Sequence, residues 1–135
     1  MGARTTAREA ALQMLFAIDA NGSDVERAIA EFWRELPGDA EDRAYADEAV
    51  RGVHAGLARI DERIVKASTN WRLERMARVD RNVLRLAAYE LLYTATPARV
   101  VINEAVEVAR TFGGESSPAF VNGILDKLAR AHGKL

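Results

Sequence analysis

Cysteine is absent from the 135 residues, which removes a disulfide framework and any thiolate metal site. Histidine is scarce: His54 and His132 are the two in the chain, far apart and in no ligand-type spacing. There is no Gly-rich phosphate loop, no Gly-x-Ser-x-Gly elbow and no His-Glu-x-x-His pair, so the familiar hydrolase and nucleotide-binding motifs are missing. Glu104 and Glu107, three apart on one helical segment, resemble half of a di-metal site. Such sites also need a Glu-x-x-His and carboxylates from other helices, and the nearby histidines are lacking. Capping or loop-anchoring carboxylates are the better reading, with no metal and no cofactor. No run approaches the roughly 18 apolar residues of a membrane span. Met1-Gly2-Ala3-Arg4 leads directly into a helical pattern with no signal-peptide apolar region. The expectation is a cytoplasmic, non-membrane protein.

What is present is ordinary for a soluble domain: 49% hydrophobic, 29% charged, net charge −1. That length and apolar content fit one domain with its own core. The charge is uneven. Residues 1–70 hold 9 basic and 13 acidic side chains; residues 71–135 hold 10 and 7. Arg72, Arg75, Arg78, Arg81 and Arg85 crowd one stretch, opposed by Glu74 and Asp80. The whole is less basic than a tight general nucleic-acid binder requires, but a local basic patch is compatible with it, as are ordinary solvated helix faces.

Nearly every segment has helical periodicity. Thr5 or Thr6 can cap a first helix, with Glu9 completing a capping box after Thr6; its apolar stripe is Ala11, Leu12, Leu15, Phe16 and Ile18, ending at Asn21-Gly22. A second helix begins at Ser23 or Asp24 and stops at Pro37-Gly38-Asp39. A long pattern from about 40 to 68 follows, with Gly52 and Gly56 marking a kink or a close helix crossing, since each costs about 1 kcal/mol against Ala. After a short turn near Leu73 to Met76 come helices over about 79–94 and 100–112. A last helix has Ser117 as N-cap and Pro118 at its first position. The expectation is an all-α, compact bundle of six to seven helices, with subdomains of about 1–70 and 71–135.

Polar residues set into apolar helices are costly unless hydrogen-bonded. Asn122-Gly123, two poor helix formers in mid-helix, are expected to let another helix approach, with Asn122 bonding across the contact. Asn103 and Glu104 are expected to tie down the interhelical loop. Phe120 sits in the first turn of the last helix beside Ser116-Ser117, where free backbone N–H groups suit an anion and a ring can stack a base; a core staple is the competing reading. Arg4, Arg8 and Phe16 on the first helix combine phosphate-binding and stacking groups of the kind that single-stranded RNA uses.

These segments together carry a resemblance. Arg78-Val79-Asp80-Arg81-Asn82-Val83-Leu84-Arg85, Val101-Ile102-Asn103-Glu104-Ala105 and Phe120-Val121-Asn122-Gly123-Ile124-Leu125-Asp126-Lys127 are similar, in order and spacing, to signatures of the NusB family of bacterial transcription antitermination factors. Ala7-Arg8-Glu9-Ala10 and Gln13-Met14-Leu15-Phe16 extend the similarity, while residues 21–70 match only in helical pattern. The resemblance implies a non-catalytic fold of two small helical subdomains. It implies pairing with NusE, a small-subunit ribosomal protein, on boxA-type single-stranded RNA, with other Nus factors and RNA polymerase engaged indirectly in ribosomal RNA operons. RNA contacts carried over by position are Arg4, Arg8, Phe16, Ser116, Ser117 and Phe120. Thr5 and Thr6 are added because their hydroxyls can bond phosphate oxygens. Asp80 is expected to meet a basic residue of NusE, and Arg85 either serves RNA or pairs internally.

The family often carries consecutive arginines where this chain has Arg4-Thr5-Thr6-Ala7-Arg8. Fewer charges weaken counterion release by roughly 0.7 in salt slope per single-strand phosphate contact, so weak RNA binding without NusE is expected. A helical protein-interaction module, or a homodimer that buries the RNA surface, is the alternative. The related N-terminal domain of ribosomal RNA cytosine methyltransferases tends to carry Arg where Asp126 stands, and continues into a catalytic domain beyond the point where this chain stops.

Overall fold

A computed structural model describes residues 4–69 and 71–135. Seven α-helices are present among them, without strands: α1 Arg4–Asn21, α2 Val25–Glu35, α3 Ala40–Ala55, α4 Leu57–Ala67, α5 Arg78–Tyr93, α6 Ala98–Phe112 and α7 Ser117–Ala131. A short 3-10 turn, Leu73–Arg75, precedes α5. The ends are chemically marked. Gly22 at φ 64° closes α1, a backbone conformation that glycine adopts without a Cβ clash. Asp24 and Asp39 cap α2 and α3 by accepting the backbone N–H groups of Arg27 and Asp42, which satisfies orphan donors of a helix start.

Helix α5 is the centre. Ten of its sixteen residues are buried, the pattern of a helix covered nearly all round, and it packs against α1, α3, α4, α6 and α7. One contiguous apolar core runs through both halves of the sequence, from Leu12, Met14, Val50 and Val53 through Ile60 and Ile64 to Leu84, Leu91, Leu125 and Leu128.

Several expectations need correction. The long pattern over 40–68 is two helices, because Gly56 interrupts it and serves as the C-cap of α3 and the N-cap of α4. Thr6 lies inside α1, which begins at Arg4, so no capping box starts there. The last helix has Ser116 as its N-cap, one residue earlier than expected, and that serine makes no side-chain cap bond. Gly52 does mark a close crossing: a Cβ there would fall 2.6 Å from Tyr89 Cζ. Gly123 does not, since a Cβ there would meet nothing within 4 Å. Asn103, Asn122 and Gly123 are all exposed. Asn103 and Asn122 instead line a polar groove between α6 and α7, with Arg99, Asp126 and Arg130. Amphipathic packing of α6 and α7 explains the difference: their buried stripes are Val101, Ile102, Ala105 and Val121, Ile124, Leu125, which leaves those polar residues on the outer face.

Candidate nucleic-acid interface

The conspicuous charges near the expected RNA face divide into those spent inside the protein and those presented outward. Arg8 is inside. It is 4% exposed, and its Nε and Nη2 donate to Glu90 at 2.9 and 2.8 Å. Its Nη1 lies 3.4 Å from Glu104. Tyr45 donates its hydroxyl to the same Glu90 carboxylate, and Thr5 donates to Glu104 at 2.6 Å. A cation and a carboxylate this far from water persist only when paired and hydrogen-bonded. Burial works against the Arg8 charge, but the hydrogen bond and negative charge of Glu90, helped by Tyr45 and Glu104, raise its guanidinium above the ordinary value. Burial first, then Glu90, pushes the Tyr45 phenol up to about 12. Arg8 therefore joins α1 to α5 and α6, and the RNA contact expected of it would have to displace these pairs.

The arginine block of α5 is committed in the same way. Arg81 donates from Nε and Nη2 to Asp19 at 2.9 and 2.7 Å and from Nη1 to the Leu73 carbonyl at 3.1 Å. Asn82, 1% exposed, donates to Asp19 and to the Arg78 carbonyl, both at 2.9 Å. Arg85 forms a bidentate pair with Asp61 at 2.9 and 3.0 Å and lies 3.5 Å from Asp19. The internal-pair reading of Arg85 is the one the geometry has; its fork is filled. Burial would raise the Asp19 carboxyl, but hydrogen bonds from Arg81 and Asn82, with the charges of Arg81 and Arg85, hold it below the usual carboxylate range. One aspartate thus fixes the end of α1 to the start of α5.

Ser117 is 3% exposed and its Oγ accepts the backbone N–H of Gly114 at 3.0 Å. Its hydroxyl shapes the α6–α7 loop, so the residue expected on RNA is buried in this structure. Ser116 is exposed beside it.

The outward groups form two sets. At the start of α1, Arg4 and Thr6 are exposed and Thr5 half-buried, with the Arg4 guanidinium 4.4 Å over the Tyr45 ring. Twelve residues on, about 18 Å along the helix axis, Phe16 is 37% exposed. There it lines a groove of about 340 Å³ with Leu12, Gln13, Val79 and Phe112, and Arg78 stands 6.0 Å from its ring. The loop after Phe112 leads to Phe120, which is partly buried against the core and meets Trp71 edge-on at 5.5 Å. Trp71 is 52% exposed. Arg78 belongs to the crowded arginine stretch of the sequence, whereas Trp71 and Phe112 are surface residues that sequence reasoning did not single out. An aromatic in a connecting segment carries no periodicity to reveal it, though its polar surroundings at Ser68-Thr69 mark an unusual place for a large ring.

Asp80 lies in the first turn of α5, 9% exposed. Its Oδ1 is buried and accepts no hydrogen bond among the described residues. The same residues hold no group of three or more His, Asp or Glu side chains fit for a metal ion, and no helix is long and apolar enough to cross a membrane.

A family model described as the NusB family matches residues 5–130. The chain belongs to the NusB family. The transcription antitermination protein NusB of Sorangium cellulosum is 62% identical over all of this chain and 97% of its own length. That of Geobacter sulfurreducens is 50% identical over 96% of this chain and 95% of its own. In three dimensions, NusB of T. maritima superposes with a TM-score of 0.87 at 39% identity, covering 96% of this chain and 92% of that one. A NusB solved with NusE and double-stranded RNA superposes with a TM-score of 0.86 at 27% identity, covering 95% and 96%. The NusB fold thus extends over at least 95% of the chain, and its antitermination function is that of the family.

Proposed function

We propose that this NusB-family chain is a non-catalytic, cytoplasmic RNA-binding adaptor that acts with NusE on boxA-type single-stranded RNA in transcription antitermination of ribosomal RNA operons. The observation that carries the reading is the aromatic set on the surface, the exposed Phe16 at one site and the exposed Trp71 on the partly buried Phe120 at the other. Base–aromatic stacking is worth about 1–3 kcal/mol per base and tolerates any base. Arg4, the hydroxyls of Thr5 and Thr6, and Ser116 supply phosphate and sugar contacts, which fix register rather than sequence. NusE is assigned the groove between Phe16, Val79 and Phe112, with Asp80, the residue after Val79, as the carboxylate expected to meet a cation of the partner. Phe16 stands at the border of the two surfaces.

Because Arg8 is internal, α1 offers RNA a single exposed arginine, Arg4, among the described residues. That favours weak binding by the isolated chain and a strong dependence on NusE, and it gives the alternative, a protein-interaction module with little RNA affinity, its one support. The test is retention of boxA RNA and a scrambled RNA by the NusE complex, with wild-type protein and with Phe16→Ala and Phe120→Ala. Each substitution is expected to weaken boxA capture several-fold or more while helicity persists. Equal retention of both RNAs by the wild type would remove the sequence-specific reading in favour of the alternative.

A further inference from the structure

Between the ends of α4 and α7 lies a second charged feature, separate from the aromatic set. A pocket of about 310 Å³ is lined by Arg63, Lys66, Ala67, Lys127, Leu128 and His132, together with Ala131. No carboxylate contributes to its wall. Arg63, Lys66 and Lys127 enter none of the ion pairs among the described residues. The nearest acid along α7, Asp126, is engaged by Arg130 at 3.0 Å. The His132 ring nitrogen Nδ1 lies 2.9 Å from the Leu128 carbonyl, so that nitrogen donates and the ring is held at the pocket edge.

The α4 C-terminus accounts for one of these charges, since a cation in a last turn is favoured by the helix dipole and Lys66 sits there. It does not account for Lys127, which precedes the last turn of α7. Nor does it account for the Arg63 Nε–H, a buried donor with no acceptor among the described residues. Buried donors are nearly always satisfied, and an oxyanion in the pocket would satisfy this one.

Two segments that line the pocket also lead to the surface assigned to RNA. Lys127 follows Phe120 by seven residues, two turns of the same helix face, about 10 Å along the axis. From Ala67, the chain runs through Ser68 to Trp71, which packs on Phe120. We infer that Arg63, Lys66 and Lys127 form a phosphate-binding extension of the RNA track, holding backbone phosphates of nucleotides that lie beyond the base stacked at Phe120. The inference rests on the RNA reading above and extends it from one end of α7 to the other.

The test uses the NusE complex, a minimal boxA RNA and the same RNA extended by some ten nucleotides on each side, with affinity followed against salt. Wild-type protein is expected to bind the extended RNA with a steeper salt slope than the minimal one. The Arg63→Gln/Lys66→Gln/Lys127→Gln variant is expected to lose about 0.7 of slope for each phosphate contact removed, so roughly 1–2 on the extended RNA, and to bind the minimal RNA as before. Lys66→Gln/Lys127→Gln, confined to exposed positions, repeats the measurement if the triple variant unfolds. Identical slopes for wild type and variant on the extended RNA would overturn the inference while leaving the RNA reading intact. Failure of the wild type to bind either RNA overturns both. A shift of the His132 resonances by inorganic phosphate alone, with the RNA slopes unchanged, would assign the pocket to a free phosphate and overturn the RNA assignment.

Discussion

If Arg8 belongs to the core and not to the RNA surface, removing it should damage stability far more than binding. In Arg8→Met the Glu90 carboxylate, with its side chain 2% exposed, keeps only the Tyr45 hydroxyl as a donor. Stripping one partner from a buried pair costs about 3–5 kcal/mol, because the charge left behind has neither water nor counterion. Against a total of about 5–15 kcal/mol for a domain, that is a large fraction. With a urea m-value near 2 kcal/mol/M, the midpoint should fall by roughly 1.5–2.5 M. Glu90→Leu should cost less, because the Arg8 guanidinium keeps Glu104 at 3.4 Å. The double variant Arg8→Met/Glu90→Leu should lie well above the sum of the two losses, since replacing both members of a buried pair by apolar groups is often close to neutral. Equilibrium urea unfolding, followed by far-ultraviolet circular dichroism with m held constant, reads all four corners of the cycle. RNA capture by those variants that stay folded is read beside it. A midpoint loss in Arg8→Met corresponding to under about 1 kcal/mol, combined with a collapse of RNA capture, would refute the reasoning and return Arg8 to the interface.

Two glycine substitutions should move stability in opposite directions. Gly52→Ala drives a methyl into the Tyr89 ring, and overpacking of about 1–3 kcal/mol exceeds the gain of about 1 kcal/mol in helix propensity. Gly123→Ala meets open space and should stabilise by about 0.5–1 kcal/mol; thermal unfolding that shifted both the same way would sink the argument. Asp19 should govern part of the acid limb. Its folded-state pKa lies below the ordinary 3.8, so the unfolded chain takes up the proton first. Its contribution is therefore complete above pH 3.8 and disappears as pH falls through the lower folded value. Asp19→Asn should be less stable at pH 7, by about 1–3 kcal/mol for hydrogen bonds to a charged group. It should then lose less than wild type between pH 5 and pH 2.5, and equal acid slopes in urea titrations would contradict this.

The helices were legible because their apolar residues recur at helical spacing and their ends carry Asp, Gly and Pro. The signature segments were legible too, and they led to the family. What could not be read was the direction in which a polar side chain faces. Asn82 and Asn122 look alike in sequence, each an amide within an apolar helix, yet Asn82 is buried between Asp19 and the Arg78 carbonyl while Asn122 is exposed. The difference lies in partners distant in sequence: Asp19 is 63 residues from Asn82. Arg8 went astray for the same reason, since its acceptor Glu90 is 82 residues away and nothing local distinguishes a buried arginine from an exposed one. Trp71 escaped notice because a residue between helices has no stripe to belong to.

The long reach of Arg8 also bears on how the chain is made. Synthesis delivers α1 to α4 first, but both carboxylates that neutralise Arg8 lie beyond residue 78, on α5 and α6. Until Glu90 has emerged, the first helix carries a cation that it cannot pair there, although α2 and α3 already cover part of its inner face. The N-terminal helices must wait for α5, so the molecule closes late, around its central helix. The surface offered to RNA and NusE then comes into being in one step with the core.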